Sequence, residues 1–478
     1  MDLGAGEAVQ RWLQGNLLQL AERRRQLVQP GEQSVKTSPL FAAIGLLVLF
    51  PLLGLFADEP PVETDQSTGD GQLPFEMHAK MKELPRVRVA NANGDLNGSD
   101  NRVLQAAVDY IAALGGGTVD IGPGEFLMRD SLHLRSNVTV RGTKGKTILR
   151  KSDGFVSPLH VDGDFGEQQF TVEDAAGFEI GSGVAIWDQN AHGFHTTVAR
   201  ITGRSDNTFS IDKPMMADCM VQNHAQAATV FPVVSGYDLR GARVENLIIE
   251  GNKGANVSLN GCRGGGIFLY RGFGTKIQNC VVLNYNGDGI SFQQSNDVTV
   301  TDCRSENNAD LGFHPGSGSQ RPVVQNCIAR HNGTDGLFLC WRVRHGLFEN
   351  NLLEDNGRFG ISIGHKDTDN LLQKNRVLRN GEDGINFRDE TLGMAAHRNR
   401  LVDNVIEDNG TKGSAAGIRI RGQTDGLVFE NNSIRDTRPS SEQTQTIGVR
   451  IENRVGTITL RDNEIAASQP IDDKRENK

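Results

Sequence analysis

Proline is scarce in this 478-residue chain, at 15 positions, and tyrosine and tryptophan are scarcer, at 4 and 3. So little proline excludes a collagen-like triple helix and a proline-rich coil, both of which need it throughout. The six cysteines contain no Cys-x-x-Cys pair, which argues against a zinc centre. Basic charge is in deficit: 50 Lys and Arg stand against 59 Asp and Glu, a net charge of −9. A general nucleic-acid binder needs a basic surface for its phosphate contacts and is disfavoured. The Leu-x-x-Leu-x-Leu signature of a leucine-rich repeat is also missing. What is plentiful is glycine, at 56 positions, where an average chain of this length would carry about 7%. Much glycine with a hydrophobic content of only 37% implies many tight turns between short strands.

One long apolar run exists, from Pro39 to Ala57. It matches the roughly 17–25 residues that cross a bilayer as a helix. Arg23, Arg24, Arg25 and Lys36 precede it, and Asp58, Glu59, Glu63, Asp65 and Asp70 follow. That asymmetry predicts that the bulk of the chain lies outside the cytoplasm, secreted or tethered. The run is a signal anchor or a cleaved signal peptide. Residues 1–38 are then a cytoplasmic lead or lie upstream of the true start, and 58–85 form a linker.

From about residue 242 the sequence repeats. Gly followed by an apolar residue recurs at Gly266, Gly289, Gly312, Gly336, Gly360 and Gly384, and again after longer steps at Gly417 and Gly448. The first six are 23 or 24 residues apart, and each period holds short alternating stretches separated by Asn, Asp and Gly turns. One coil of a parallel β-helix fits that length, each strand pairing with its copy about 4.8 Å away. The expected fold is an all-β, right-handed, single-stranded parallel β-helix (a solenoid) over 86–470, with a polar tail at 471–478. A helix between Asp100 and Leu114, capped by Asp100 and apolar along Val103, Ala107, Val108 and Ile111, is expected to close its first coil. Residues 160–240 alternate without the coil period and read as a small β-rich insertion. Asn279, Asn326 and Asn350 are expected to bond from coil to coil as a ladder. Cys280, Cys303 and Cys327 are expected to form a buried column rather than disulfides or a metal site.

Aligning the coils on the repeating glycine turns each sequence position into a surface stripe. The second position gives Phe268, Ser291, His314, Phe338, Ser362, Asn386 and Arg419. The fourth and its successors bring Tyr270, Arg271, Trp341, Arg342, His365, Lys366, Asp367, Arg388, Asp389, Glu390 and Arg421 to the same side. A basic, aromatic stripe on an acidic chain predicts an acidic glycan as partner. For elimination from a uronate, Arg342, Arg388 and Arg421 suit the substrate carboxylate, and Lys366 or His365 suits removal of the proton at C5. Asp367, Asp389 and Glu390 keep paired-carboxylate hydrolysis open. Tyr270, Phe338 and Trp341 are candidate sugar platforms, with Arg271 and His314 beside them. Asp288, Asp335 and Asp383, each just before a repeating glycine, read as turn formers. A non-catalytic, adhesin-like glycan-binding protein is the third reading. The partner expected is the polysaccharide, with membrane contact confined to the apolar run, and the chain a monomer.

NGSD, the helix after it, GGGTVDIGPGEF and SNVTVRG resemble the N-terminal portion of the pectate-lyase superfamily of right-handed parallel β-helices. With the repeats the resemblance covers 86–470 apart from the insertion, and it implies a lyase, a polygalacturonase-like hydrolase or a sugar epimerase. It also brings Ca²⁺ as a possible cofactor, although no aspartate cluster has ligand spacing. LGFHPGS is similar to the YGFDPHE-like motif of alginate epimerases, but His314 stands where the Asp would be and Gly316 where the His would be.

Overall fold

A computed structural model describes residues 81–411 and 415–476. The apolar run at 39–57 and its flanks lie outside them, and among the described residues no helix is long and apolar enough to cross a membrane. Three parallel sheets, of 13, 11 and 11 strands, stack coil on coil as a right-handed β-helix, as the period requires. In the third sheet the glycine alignment is the actual register: Ile267 pairs with Ile290, Ile290 with Phe313, Phe313 with Leu337, and so on to Ile418 and Val449. Those eight residues are at most 1% exposed and form one column of the core. Each stacked aliphatic or aromatic side chain contributes about 1.5–3 kcal/mol by leaving water.

The helix α1 (Asn101–Ala113) caps the first coil, and the Asp100 carboxylate accepts the Arg102 amide at 3.0 Å. Leu104, Ala107, Val108 and Ile111 are its buried face, with Val103 only partly buried against the core. Gly115, Gly116 and Gly117 follow, all with positive φ. They reverse the chain from helix into strand, where a side chain on Gly116 or Gly117 would run into the backbone at Asn137 or Pro85.

The amide ladder exists, but one residue further on than expected. Asn279, Asn326 and Asn350 hold left-handed turn conformations at the exposed corner. Only Asn350 and Asn326 bond to each other there, while Asn326 turns to Asp302 and Asn279 to Lys144. The ladder is Asn351, Asn375, Asn404 and Asn432, all buried, and the half-buried Asn463; from Asn375 onward each carbonyl oxygen accepts both the backbone and side-chain N–H of the asparagine one coil earlier. The cysteine column is the start of this same column: Cys327 donates its backbone amide to Asn351. Cys280, Cys303 and Cys327 are buried, unbridged thiols that donate to backbone carbonyls and lie within hydrogen-bonding reach of one another along the column. A second ladder runs through Asn308, Asn332, Asn356, Asn380 and Asn409.

The insertion is a six-stranded antiparallel sheet between Val156 and Ala228 with its own core around Phe170, Phe178 and Phe209. Its span differs from 160–240 because Val234–Arg240 is already a strand of the third sheet. At the other end Gln469–Asp473 is the last strand of that sheet, so the chain leaves it beyond residue 470.

Candidate functional site

The third sheet presents its second and fourth positions outward, and from coil to coil these form two rows. Glycine at the fourth position in two coils, Gly316 and Gly364, opens room between neighbours. Arg388 lies across Gly364, where a methyl group would meet its Nε at 2.5 Å. From there the guanidinium donates to Ser362 Oγ (2.9 Å), to the Leu339 carbonyl (2.6 Å) and to Asp367 Oδ2 (3.2 Å), and it sits 4.4 Å above the Phe338 ring. Arg388 is therefore consumed by the scaffold rather than held out for a substrate carboxylate.

Asp367 is not a surface carboxylate. It occupies a corner position, and its Oδ1 accepts the Val343 amide one coil earlier, as the ladder asparagines do. It is fully buried, and burial raises its pKa to about 7 despite Arg388.

His314, 3% exposed, donates from Nδ1 to Asp288 Oδ2 at 2.6 Å. Burial opposes charge on both partners, but at His314 the bond to Asp288 outweighs it and the pKa rises to about 10. Asp288 also accepts the Leu311 amide of the next coil, so beyond the turn role expected of it, it ties two coils together and orients the histidine. Asp335 and Asp383 do the same for Phe359 and Ala416 in later coils, and Asp383 further binds Arg419 at 2.7 Å. The alternation of Asp with Leu, Phe and Ala before the repeating glycine was the available signal for these double roles.

A loop between Ser258 and Gly264 covers this pair. The Gly261 carbonyl accepts Ser291 Oγ at 2.6 Å, and a side chain at Gly261 would occupy the space of the Asp288 carboxylate. Gly261→Ala is expected to cost about 1–3 kcal/mol by overpacking, read as a lower thermal midpoint. An unchanged midpoint would contradict this seating of the loop.

The remaining predicted residues divide by exposure. His365 Nε2 lies 2.7 Å from Glu390 Oε1, and its ring leans on Trp341 with centroids 5.0 Å apart. Burial, and then Arg388, lower the His365 pKa to about 4, so the ring is neutral at physiological pH; burial raises Glu390. Trp341 and His365 hold positive φ in adjoining coils, as do Arg342 and Lys366, because both pairs form the same turn. Lys366 makes no ion pair or side-chain hydrogen bond among the described residues, and Arg342 only overlies Trp341. Arg421 uses one donor, on Asn386. Asp389 is exposed and paired with Arg454. Arg271 pairs with Asp238 beside Tyr270. Phe194, from the insertion, meets Trp341 edge-on at 6.4 Å, a contact that repeats confined to the coils do not reveal.

Among the described residues no group of three or more His, Cys, Asp or Glu side chains can hold a metal ion. Asp288, Asp367, Asp383 and Asp389 each already have a cationic partner. Among the described residues these four carboxylates do not assemble into an oxygen set for the Ca²⁺ that the resemblance suggests.

Fold and site together define a right-handed parallel β-helix protein with a polar, aromatic face on its third sheet. The family described as "Right handed beta helix region" matches residues 240–391. The A-module of mannuronan C-5 epimerase AlgE4 from Azotobacter vinelandii is 17% identical, with a TM-score of 0.50 over 81% of this chain and 100% of that one. Tailspike protein 2 of Escherichia coli O157:H7 bacteriophage CAB120 is 10% identical, with a TM-score of 0.50 over 78% of this chain and 42% of that one. PfbA, a surface adhesin of Streptococcus pneumoniae, is 12% identical, with a TM-score of 0.47 over 81% and 92%. At these identities the likeness is one of fold. No curated protein matches the sequence.

Proposed function

We propose that the protein acts outside the cytoplasm on an acidic polysaccharide laid along the third sheet, and that it breaks the chain by β-elimination. The observation that carries this reading is the His365–Glu390 pair, 2.7 Å apart beside Trp341. Asp288, Asp367, Asp383 and Asp389 are each neutralised by a cation, and Asp335 is buried, which leaves Glu390 as the carboxylate of this face available for proton transfer. One such carboxylate does not make the acid and base pair of a glycosidase.

Lys366, Arg342 and Arg421 receive the uronate carboxylate, which makes its C5–H acidic. The His365–Glu390 pair takes that proton as the C4–O bond breaks and a C4=C5 double bond forms, and the departing oxygen takes a proton from solvent water. A bound carboxylate beside His365 raises the imidazole's proton affinity from its low resting value. Trp341 supports the sugar ring. The same titratable pair predicts that turnover falls as the medium is acidified toward the His365 value of about 4. Export through the 39–57 segment would place the face where such polymers occur.

His365→Ala and Glu390→Gln are each expected to lower kcat about 10²–10⁴-fold, with Lys366→Ala raising KM. The assay follows reducing ends and ultraviolet-absorbing unsaturated products on pectic, alginate and sulfated polymers. Reducing ends without absorbance would exclude elimination. Binding without either signal would make this a glycan-binding protein of the adhesin kind, a reading favoured by the internal pairing of most charges on the face.

A further inference from the structure

Beside the face, on the side where strands enter the third sheet, lies a separate hollow of about 240 Å³. Trp187, His192, Ser258, Leu259, Asn260 and Asp310 line it. Trp187 ends the insertion strand Gly183–Trp187 and packs with Leu259 in a small apolar cluster of Ala185, Ala228 and Val230. The floor is fixed: Leu259 donates its amide to the Asn286 carbonyl at 3.1 Å, and Asn286 Nδ2 donates back to Val257. Asp310 is anchored through its amide to Gly287 and accepts Thr334 Oγ1 at 2.6 Å on Oδ1.

The polar groups around this floor are unspent. Among the described residues the Ser258 hydroxyl, the His192 ring nitrogens, the Trp187 indole N–H, Asp310 Oδ2 and the Asn260 amide N–H groups have no hydrogen-bond partner. On the stripe, by contrast, most charges have one, Lys366 and Arg342 excepted. An indole beside a leucine, ringed by a hydroxyl, an amide, an imidazole and one carboxylate, suits the C–H face and hydroxyl edge of a pyranose. The lining has one carboxylate and no Lys or Arg, so a uronate is repelled and an uncharged sugar is not. The volume falls below the range of about 300–1,000 Å³ for drug-sized ligands and suits a single ring.

We infer that this hollow is a subsite for a neutral sugar residue, distinct from the cationic stripe. Resting on the glycan reading above, it makes the preferred polymer one in which neutral residues or branches accompany the acidic ones. The subsite needs no turnover to be tested.

The full chain is titrated with cellobiose, lactose and mannobiose, and separately with oligogalacturonate, while the indole N–H resonance of Trp187 is followed by NMR. Saturable shifts with at least one neutral disaccharide are expected. Trp187→Ala and Asp310→Asn should weaken that binding about tenfold or more, while Trp187→Phe retains part of it and Lys366→Ala leaves it unchanged. Oligogalacturonate should respond to Lys366→Ala and not to Trp187→Ala. The inference is overturned if no neutral sugar perturbs Trp187, if the perturbation survives in Asp310→Asn at full affinity, or if oligogalacturonate fills the hollow. Loss of oligogalacturonate binding alone would count against the stripe and leave the subsite standing.

Discussion

Asn380→Ala is expected to lower stability by about 3–5 kcal/mol, although it deletes a small polar side chain. Asn380 Oδ1 accepts the backbone amide of Asn356 at 3.1 Å and its side-chain amide at 3.0 Å. Its Nδ2 donates to the Leu353 carbonyl and to Asn409 Oδ1, each at 3.0 Å. Alanine removes both atoms and takes a bond from each of these partners where water does not reach; Asn356 Nδ2 keeps the Ala329 carbonyl and Asn409 Oδ1 keeps the Asn380 backbone amide, while the Asn356 backbone amide is left unsatisfied. Each such group costs about 1–3 kcal/mol. Asn350→Gly, at the exposed corner of the same coils, where glycine keeps the left-handed turn (φ 53°) free of strain, is the control and should stay within about 0.5 kcal/mol. Because a stack of coils need not unfold as one unit, the measurement pairs a thermal scan with hydrogen exchange. The expected result is faster exchange centred on Asn356, Asn380 and Asn409, with α1 unaffected. Equal effects of the two variants would mean that the buried ladder is not what holds adjacent coils in register.

Asn350 and its neighbour Asn351 show how far the sequence could be read. Glycine spacing defined the coil, because only glycine fits beneath the next coil's side chains at that point. For that reason the register of the third sheet followed without error. In Glu349-Asn350-Asn351-Leu352, however, two asparagines sit side by side, one lining the corner and one buried, and periodicity treats them alike. The ambiguity is one residue, and it reverses which side chain carries the ladder. A similar limit applied to His365, Lys366 and Asp367. Spacing brought all three to the turn, but the positive φ of the first two rotates Asp367 under the chain, into the ladder position of its corner. Trp187 and Phe194 were hidden for another reason. They belong to the insertion, which has no coil period and so no alignment by which to place it.

Arg388→Ala should produce a penalty that depends on pH. Arg388 is the cation bonded to the buried Asp367. Removing one partner of a buried pair leaves an uncompensated charge and costs about 3–5 kcal/mol. At Asp367 that charge exists only when the carboxyl has ionised. In the native wild type its pKa is raised to about 7, whereas an unfolded aspartate has about 3.9. Between those values the folded state holds a proton that the unfolded state has released. The group's contribution to stability is therefore most favourable below the unfolded value and declines as pH rises toward about 7. Deleting Arg388 removes the cation that holds the folded pKa down, so the decline extends to higher pH. The full penalty should appear near pH 8 and shrink near pH 5, where Asp367 is protonated and only Ser362 and the Leu339 carbonyl have lost a donor. Asp367→Asn in the same background should flatten the pH dependence and restore part of the stability at pH 8, since an amide keeps the Val343 bond without the charge. Unfolding free energies of the wild type, Arg388→Ala and the double variant across this range provide the measurement. A penalty for Arg388→Ala that is the same at pH 5 and pH 8 would show that Arg388 acts through its packing over Phe338 rather than through its charge. If instead the pH dependence appears while oligogalacturonate binding at pH 5 is retained, Arg388 is a support of the face, and recognition of the acidic polymer falls to Lys366, Arg342 and Arg421.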